Sequence, residues 1–195
     1  MTRPALQGPV FFGLGANLGD RELALRTALG WLEGVVRAPL SVASPYRSSP
    51  VTVVDSGLPP QRDYFNTVVR ASLGRPVDPR ALLCQLKALE RRAGREAAAR
   101  DAPRPLDIDL LVAGGQQIDL PELPCAPDGL WPGAIRIPHA RLRQRLFVLE
   151  PLAELAPGLR LPPDGASVKA LLRSLVASEA GSQQRVERLD WSDPL

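Results

Sequence analysis

Two aspartates two positions apart, Asp107 and Asp109, are the residues of this chain most suggestive of chemistry. They lie in residues 106–112, where apolar side chains alternate with polar ones, a period of two that predicts a strand with one buried face. Residues i and i+2 of a strand point the same way, about 7 Å apart, so the carboxylates project side by side. Like charges so placed repel each other, and one or two divalent cations would neutralise them.

Arg104, just before the two aspartates, could hold an anion against such a metal. A strand-borne Asp-x-Asp with a flanking arginine therefore favours metal-dependent phosphate chemistry. The alternative is an exposed sheet face that carries two solvated acids.

Three other polar residues are candidates on weaker grounds. Asn66 shares with Tyr64 the mixed face of a predicted strand at 63–73, and that face could line a site. Glu90 lies at the edge of the apolar stripe of a predicted helix, where a solvated boundary residue is the simpler interpretation. His139 is the only histidine, and a lone histidine is more often structural than catalytic.

The elements that must position these residues follow from hydrophobic periodicity. Asp20 can cap a first helix, and a second helix runs from Pro79 to Gly94. Gly13 and Gly15 lie in the first strand and Gly19 follows it, but their spacing is one residue off the dinucleotide-binding fingerprint, which argues against a Rossmann fold. Strands are predicted at residues 10–15, 40–46 (broken by Pro45), 63–73 and 106–112.

The order strand, helix, strand, strand, helix, strand is the split βαββαβ plan. We therefore predict an α+β fold with a ferredoxin-like core, an antiparallel sheet and extra C-terminal helices. The chain is expected to form one domain over 1–195, with a core at about 9–177 and a loosely packed tail. A long Pro- and Gly-containing loop is predicted at 114–133, and helices near 146–152 and 167–176.

Composition limits the possible functions. The chain has 195 residues, 45% of them hydrophobic, and a net charge of +3, which is too weak to argue for nucleic acid binding. No apolar run approaches the length of a membrane span and no signal-peptide core follows the N-terminus, so we expect a cytoplasmic, soluble protein, a monomer that binds neither nucleic acid nor membrane. Cys84 and Cys125 lack a C-x-x-C spacing and predict neither a zinc site nor a disulfide framework.

Six stretches in order along the chain together resemble one family. They are residues 13–20 (GLGANLGD), 46–50 (YRSSP), 63–66 (DYFN), 103–111 (PRPLDIDLL), 137–139 (IPH) and 145–152 (RLFVLEPL). This set is similar to the 6-hydroxymethyl-7,8-dihydropterin pyrophosphokinase family of folate biosynthesis, over about residues 10 to 175. The family has a ferredoxin-like core, in agreement with the predicted order of elements.

The resemblance implies transfer of the β,γ-pyrophosphoryl unit of ATP to the hydroxymethyl group of 6-hydroxymethyl-7,8-dihydropterin, with two Mg²⁺ ions. It implies that Asp107 and Asp109 are the metal ligands, and that they are catalytic together with Arg100 and Arg104. The ATP-binding residues that it implies are Glu90, Arg95, Arg100, Arg104, His139 and Arg145. The pterin-binding residues that it implies are Ser48, Pro50, Val51, Tyr64, Asn66 and Phe147, and Asn66 has the amide needed to read the edge of the pterin ring.

One segment departs from the family pattern. The family has G-R-x-R-x-x-R-W-G-P-R over its catalytic lid, whereas residues 94–104 read GREAAARDAPR. The segment is one residue shorter, lacks the second arginine, and has Asp101 in place of the tryptophan and Ala102 in place of the glycine. The alternative function is therefore a pterin- or nucleotide-binding relative with reduced or no activity.

Two rival classes remain from the residues alone. A different Asp-x-Asp metal enzyme, such as a nucleotide-sugar transferase, would not explain the Asn66 strand or the segment at 145–147. A ferredoxin-like RNA binder needs aromatic side chains on its central strands, where this chain is predicted to carry Asp107 and Asp109.

Overall fold

A computed structural model describes residues 4–50, 60–96, 102–121 and 134–191, and an antiparallel sheet runs through it. The elements in chain order are β1 (Leu6–Ala16), α1 (Arg21–Val36), β2 (Leu40–Val42), β3 (Tyr46–Ser48), β4 (Tyr64–Val77), α2 (Pro79–Arg92), β5 (Asp107–Ala113), β6 (Ile118–Leu120), β7 (Ile135–Ile137), α3 (Leu146–Leu155), β8 (Arg160–Leu161), β9 (Ala166–Ser167), α4 (Val168–Val176), α5 (Glu179–Ser182) and β10 (Val186–Arg188). A short 3₁₀ turn at Leu142–Gln144 precedes α3.

The main sheet has the strand order β10-β3-β4-β1-β5, with β2 pairing to β4. β1 is central and antiparallel to both β4 and β5. Without β10, the order β3-β4-β1-β5 is that of a ferredoxin-like βαββαβ unit, in which the first and third strands lie in the middle. The predicted α+β class and the predicted order of elements are therefore confirmed.

The two faces of the sheet bury different cores. Alternate side chains of a strand point to opposite faces, and Leu14 and Ile108 lie on the face that packs against α1 and α2. Phe11 and Val68 lie on the other face, in a second core with α3 and α4. Both cores are made of fully buried aliphatic and aromatic side chains, which fixes the sheet between two helical layers.

The two helices of the core begin as the sequence indicated. The Asp20 carboxylate accepts a hydrogen bond from the Leu23 amide at 3.1 Å and caps α1. Asp78 caps α2 in the same way, with Pro79 in its first turn. The predicted stripe of α2 is buried against the sheet, so both helices are positioned by their apolar faces.

Several boundaries differ from the prediction. The strand predicted at 40–46 is two strands, β2 and β3, and the second continues through Ser48. β4 runs to Val77, beyond the predicted end at Leu73. The predicted loop at 114–133 includes β6, which pairs with β7 in a separate two-stranded sheet; residues 122–133 lie outside the described part of the chain.

Two expectations are wrong. The tail was expected to be loosely packed, but β10 pairs with β3, and Trp191 donates to the Ala43 carbonyl at 3.0 Å. Cys84 is disulfide-bonded, although the cysteine spacing predicted no disulfide.

Among the described residues, no helix is long and apolar enough to cross a membrane.

Candidate active site

One face of the sheet aligns the candidate residues across three strands. Gly15 of β1 pairs with Asn66 on one side and with Asp107 on the other, and Gly13 pairs with Asp109. Residues directly opposite each other in antiparallel strands share a face, so these five positions form one surface. Since strands are about 4.8 Å apart, Asn66 and Asp107 are separated by about 10 Å.

Asp107 is held by two arginines. Arg95 Nη1 lies 2.6 Å and Arg104 Nη1 lies 3.1 Å from the same oxygen, Asp107 Oδ1. Burial raises the pKa of the Asp107 carboxyl, but the charges of Lys87, Arg104 and Arg95 outweigh it and lower the pKa to about 2. The Asp107 side chain remains 26% exposed, so a ligand can reach it.

Glu90 contacts Arg95, one of the two arginines that hold Asp107. It is not the solvated boundary residue that periodicity alone suggested. It is 1% exposed, with Oε2 at 2.5 Å from Arg95 and Oε1 at 2.5 Å from Lys87 Nζ. Oε1 also accepts a hydrogen bond from the Ile108 amide at 2.7 Å. Burial raises the pKa of Glu90, and the charges of Lys87 and Arg95 oppose that shift. The carboxylate thus ties α2 to the strand that carries both aspartates.

Asp109 faces a histidine and an arginine. His139 Nε2 lies 3.9 Å and Arg145 Nη1 lies 3.7 Å from Asp109 Oδ2. Burial lowers the pKa of His139, the Asp109 charge opposes this, and Arg145 lowers it further. The Arg145 guanidinium also lies 5.4 Å from the centre of the Phe147 ring, so it connects Asp109 to that aromatic side chain.

Arg104 is positioned through its main chain by Asn17, a residue that we did not single out from the sequence. The Asn17 side-chain oxygen accepts a hydrogen bond from the main-chain amide of Arg104 at 2.7 Å. The main-chain amide of Asn17 donates to the Arg104 carbonyl at 3.1 Å. Asn17 is 0% exposed. This double contact fixes the turn that brings the Arg104 side chain onto Asp107.

The predicted pterin residues form a polar pair on β3 and β4. Asn66 Nδ2 donates to Ser48 Oγ at 2.9 Å, and both residues are buried. Tyr64 is the register partner of Ser48, and its hydroxyl donates to Gln61 Oε1 at 3.3 Å. Pro50 is partly buried two residues after β3. The structure thus brings Ser48, Tyr64 and Asn66 together.

The donor set of this surface fits magnesium. Mg²⁺ prefers oxygen ligands and is usually bound by one or two carboxylates together with substrate phosphates. Asp107 and Asp109 offer two carboxylates on one face, while the described residues contain no group of three or more acidic, histidine or cysteine side chains that could hold a metal alone. A site that substrate oxygens complete is therefore the arrangement these residues suit.

Two predicted site residues, Val51 and Arg100, lie outside the described residues, as does Asp101 of the proposed lid. The other predicted residues fall into three groups. Asp107 lies with Glu90, Arg95 and Arg104, and Asp109 lies with His139, Arg145 and Phe147. Asn66 lies with Ser48 and Tyr64, and Pro50 follows two residues after Ser48. Their contacts with ligands stay predictions.

Sequence reasoning missed three supporting residues, Asn17, Lys87 and Gly15. Asn17 and Gly15 lie in the GLGANLGD stretch, and Lys87 is one of only two lysines in a chain whose other 22 basic side chains are arginines. Each acts on the backbone or on the packing of a site residue, and residue type alone does not reveal such a role.

The chain is similar to known proteins of one family. A family model described as 7,8-dihydro-6-hydroxymethylpterin-pyrophosphokinase (HPPK) matches residues 11–157. The 2-amino-4-hydroxy-6-hydroxymethyldihydropteridine pyrophosphokinase of Pseudomonas aeruginosa is 37% identical over 164 residues, which cover 84% of this chain and 89% of that protein. The protein of the same name from Bacillus subtilis is 32% identical over 146 residues, or 74% of this chain and 76% of the relative.

Solved structures show the same fold at low identity. A triple mutant of the HPPK-DHPS protein of Plasmodium falciparum has a TM-score of 0.67 at 14% identity, over 96% of this chain and 49% of that one. Another HPPK-DHPS structure, solved in complex with substrates, has a TM-score of 0.64 at 12% identity, over 87% of this chain and 44% of that one. This chain therefore spans about half the length of these longer proteins or less.

Proposed function

This chain belongs to the 7,8-dihydro-6-hydroxymethylpterin-pyrophosphokinase family, and we propose that it makes the pterin diphosphate of folate biosynthesis from MgATP and 6-hydroxymethyl-7,8-dihydropterin. The pterin hydroxyl oxygen attacks the β-phosphorus of ATP, the bond from that phosphorus to the α-phosphate oxygen breaks, and AMP leaves. The family relationship supports the activity, and the residue roles below are our own inferences from the geometry.

One observation carries the proposal: the paired carboxylates and the amide of Asn66 lie on the same sheet face. Gly15 alone separates Asn66 from Asp107 across β1. A separation of about 10 Å allows a flat ring held at Asn66 to direct its hydroxymethyl group toward phosphates held at Asp107.

On the nucleotide side, we propose that Asp107 and Asp109 ligate two magnesium ions. Bound there, these ions would neutralise the triphosphate charge and orient it for transfer. Arg95 and Arg104, which now contact Asp107 Oδ1 at 2.6 Å and 3.1 Å, are within reach of phosphate oxygens placed at that carboxylate. His139 and Arg145 would hold phosphate oxygens at Asp109, which they already approach at 3.9 Å and 3.7 Å.

On the pterin side, Asn66 supplies an amide donor and acceptor to the ring edge. Its amino group already donates to Ser48 at 2.9 Å, which orients the side chain before the ligand arrives. Tyr64, and Phe147 beside Arg145, offer aromatic surface to the ring. This preorganisation supports selective binding of a flat, polar heterocycle.

Incubating the purified protein with MgATP and 6-hydroxymethyl-7,8-dihydropterin tests the proposal. We expect AMP and the pterin diphosphate in equal amounts, and neither product when magnesium is chelated. Binding of both substrates without AMP would favour the alternative of a pterin- and nucleotide-binding relative with a degenerate lid. AMP formation with another acceptor but not with the pterin would contradict the proposal. We further propose that the reaction takes place in the cytoplasm and that the chain acts as a monomer.

A further inference from the structure

The residue between the two aspartates is held on both of its hydrogen-bonding groups by one helix. The Ile108 amide donates to Glu90 Oε1 at 2.7 Å, and the Ile108 carbonyl accepts from Lys87 Nζ at 3.2 Å. Lys87 and Glu90 are three residues apart on α2, and their charged groups are 2.5 Å apart. The two side chains thus form one clamp on the Ile108 main chain.

The clamp occupies a free edge of the sheet. β5 ends the strand order of the main sheet, and within the described part of the chain its sole partner in that sheet is β1. Ile108 stands opposite Leu14 of β1, and its amide and carbonyl are directed to α2 instead. A lysine and a glutamate therefore replace the next strand at this position, and without them a buried amide and carbonyl would lack partners.

The position of the clamp sets the geometry of the carboxylates. Asp107 and Asp109 are bonded covalently to Ile108, so any shift or twist of that main chain changes the distance and angle between their side chains. Ile108 itself is 0% exposed, and its side chain is packed in the core. With the side chain and both backbone groups of Ile108 fixed, the spacing of the two main-chain positions from which the aspartate side chains project is fixed as well.

We propose that Lys87 is a positioning residue of the metal site: together with Glu90 it locks the Ile108 main chain so that Asp107 and Asp109 present their carboxylates to magnesium at one fixed spacing. This inference rests on the metal role of the two aspartates proposed above. The Lys87 side chain is only 18% exposed, which suits an internal brace.

The test is a titration of the whole protein with Mn²⁺ in the presence of α,β-methylene ATP, followed by electron paramagnetic resonance. This analogue cannot be cleaved at the bond that the reaction breaks. Lys87→Met keeps an unbranched side chain, one atom shorter than that of lysine, and removes its charge and its donors. We expect about a 10-fold weaker Mn²⁺ affinity, the lower end of the effect of outer-shell partners on metal sites. Lys87→Arg, which keeps both properties, should restore most of the affinity.

The other lysine provides a matched control. Lys169 lies exposed in α4, in a different part of the fold, and Lys169→Met should bind Mn²⁺ like the unaltered protein. In the catalysed reaction, Lys87→Met should raise the Mg²⁺ concentration needed for half-maximal rate and leave the KM for the pterin unchanged. A brace that served stability alone would lower the unfolding midpoint and leave both metal readouts unchanged.

The outcomes separate this proposal from the previous one. If the unaltered protein with the ATP analogue binds no Mn²⁺, the metal assignment itself fails. If it binds Mn²⁺ and folded Lys87→Met binds equally well, only the role of Lys87 is wrong. Should Lys87→Met not fold, Lys87→Gln replaces it: its neutral amide ends one bond short of the lysine ammonium, so a weaker Mn²⁺ affinity supports the brace and an unchanged one overturns it.

Discussion

Replacing Gly15 by alanine tests whether the arrangement of the site requires that position 15 carry no side chain. A Cβ atom at Gly15 would lie 3.0 Å from Asn66 Oδ1, closer than nearly all contacts that real Cβ atoms make. Asn66 cannot yield freely, because its amino group is bonded to Ser48 at 2.9 Å and the residue is only 6% exposed. Gly15→Ala should therefore rotate the Asn66 amide and stretch or break its bond to Ser48.

Gly15→Ala is expected to weaken the affinity for the pterin. A lost or distorted hydrogen bond of this kind is worth about 0.5–1.5 kcal/mol, and about 1 kcal/mol corresponds to roughly a 5-fold weaker affinity. The effect on folding should be small, since replacing a glycine by alanine stabilises a compatible strand by about 0.4–1 kcal/mol through the unfolded state. The next atoms near the added Cβ, at 4.0 Å, belong to Phe65 and Tyr64 of β4, so MgATP affinity should not change.

Calorimetric titration with 6-hydroxymethyl-7,8-dihydropterin, in the presence of magnesium and α,β-methylene ATP, measures this effect. Gly13→Ala is the matched control, because the atoms nearest to its Cβ belong to the apolar side chain of Leu111, at 3.3 Å, and not to Asn66. Asn66→Ala sets the full effect, about 1–3 kcal/mol for an unpaired buried polar group. The reasoning is refuted if Gly15→Ala binds the pterin as tightly as Gly13→Ala while Asn66→Ala binds it weakly. An unchanged affinity in Asn66→Ala would remove Asn66 from the site.

Three further predictions concern other parts of the molecule. Asp107→Ala or Asp109→Ala should abolish AMP formation in a protein with an unchanged circular dichroism spectrum; near-normal turnover at saturating Mg²⁺ would contradict the assignment of that residue. Arg100→Ala should lower turnover more than nucleotide affinity in stopped-flow and binding assays, because the lid would lose one of its few cations, and an unaltered turnover would exclude Arg100 from it. Burial raises the pKa of Glu154, but hydrogen bonds from Ser44 and Tyr46 and the charge of Arg188 outweigh this and lower the pKa. The ionised Glu154 carboxylate therefore stabilises the fold above the unfolded pKa of about 4.3. This stabilisation is lost as the pH falls through the lowered pKa of the folded state. Glu154→Gln should therefore cost about 1–2 kcal/mol of unfolding free energy at pH 7, measured with urea, and clearly less below pH 4; a cost that did not depend on pH would argue against a charge effect.

The sheet and its two core helices could be predicted because their signals are local. The period of two around Asp107, the cap at Asp20, Pro79 at the start of α2 and the apolar stripe of α2 each lie within a few residues of sequence. A βαββαβ order then leaves few arrangements, since connections are short and consecutive elements usually pack together.

The pairing of β10 with β3 could not be predicted in this way. β10 has only three residues, and its partner strand lies well over a hundred positions earlier in the chain. What stabilises the pair is contributed by side chains distant in sequence: Glu154 accepts from Tyr46 at 2.7 Å and from Arg188 at 2.9 Å. A window of a few residues contains none of this information.

In the candidate site, too, some residues could be predicted from the sequence and others could not. Asp107, Asp109 and Arg104 could be proposed because carboxylates and guanidiniums have known preferences for metals and phosphates. The pterin role of Asn66 was implied by the family resemblance, with which its amide chemistry agrees. The burial of Glu90 could not, because its partners Arg95, Lys87 and the Ile108 amide come together only in the folded chain.

The repulsion expected between the two aspartates is resolved by the protein itself. Each carboxylate already faces cationic side chains, Arg95 and Arg104 at Asp107 and Arg145 at Asp109, so the fold does not depend on a metal to tolerate the pair. A magnesium ion that bound Asp107 through Oδ1 would compete with both arginines for that oxygen. The guanidiniums released from that oxygen would then stand beside the metal, where the phosphates of ATP are proposed to lie. The same charges that offset the charge of Asp107 would then hold the bound nucleotide. Metal binding and phosphate binding should therefore favour each other at this surface.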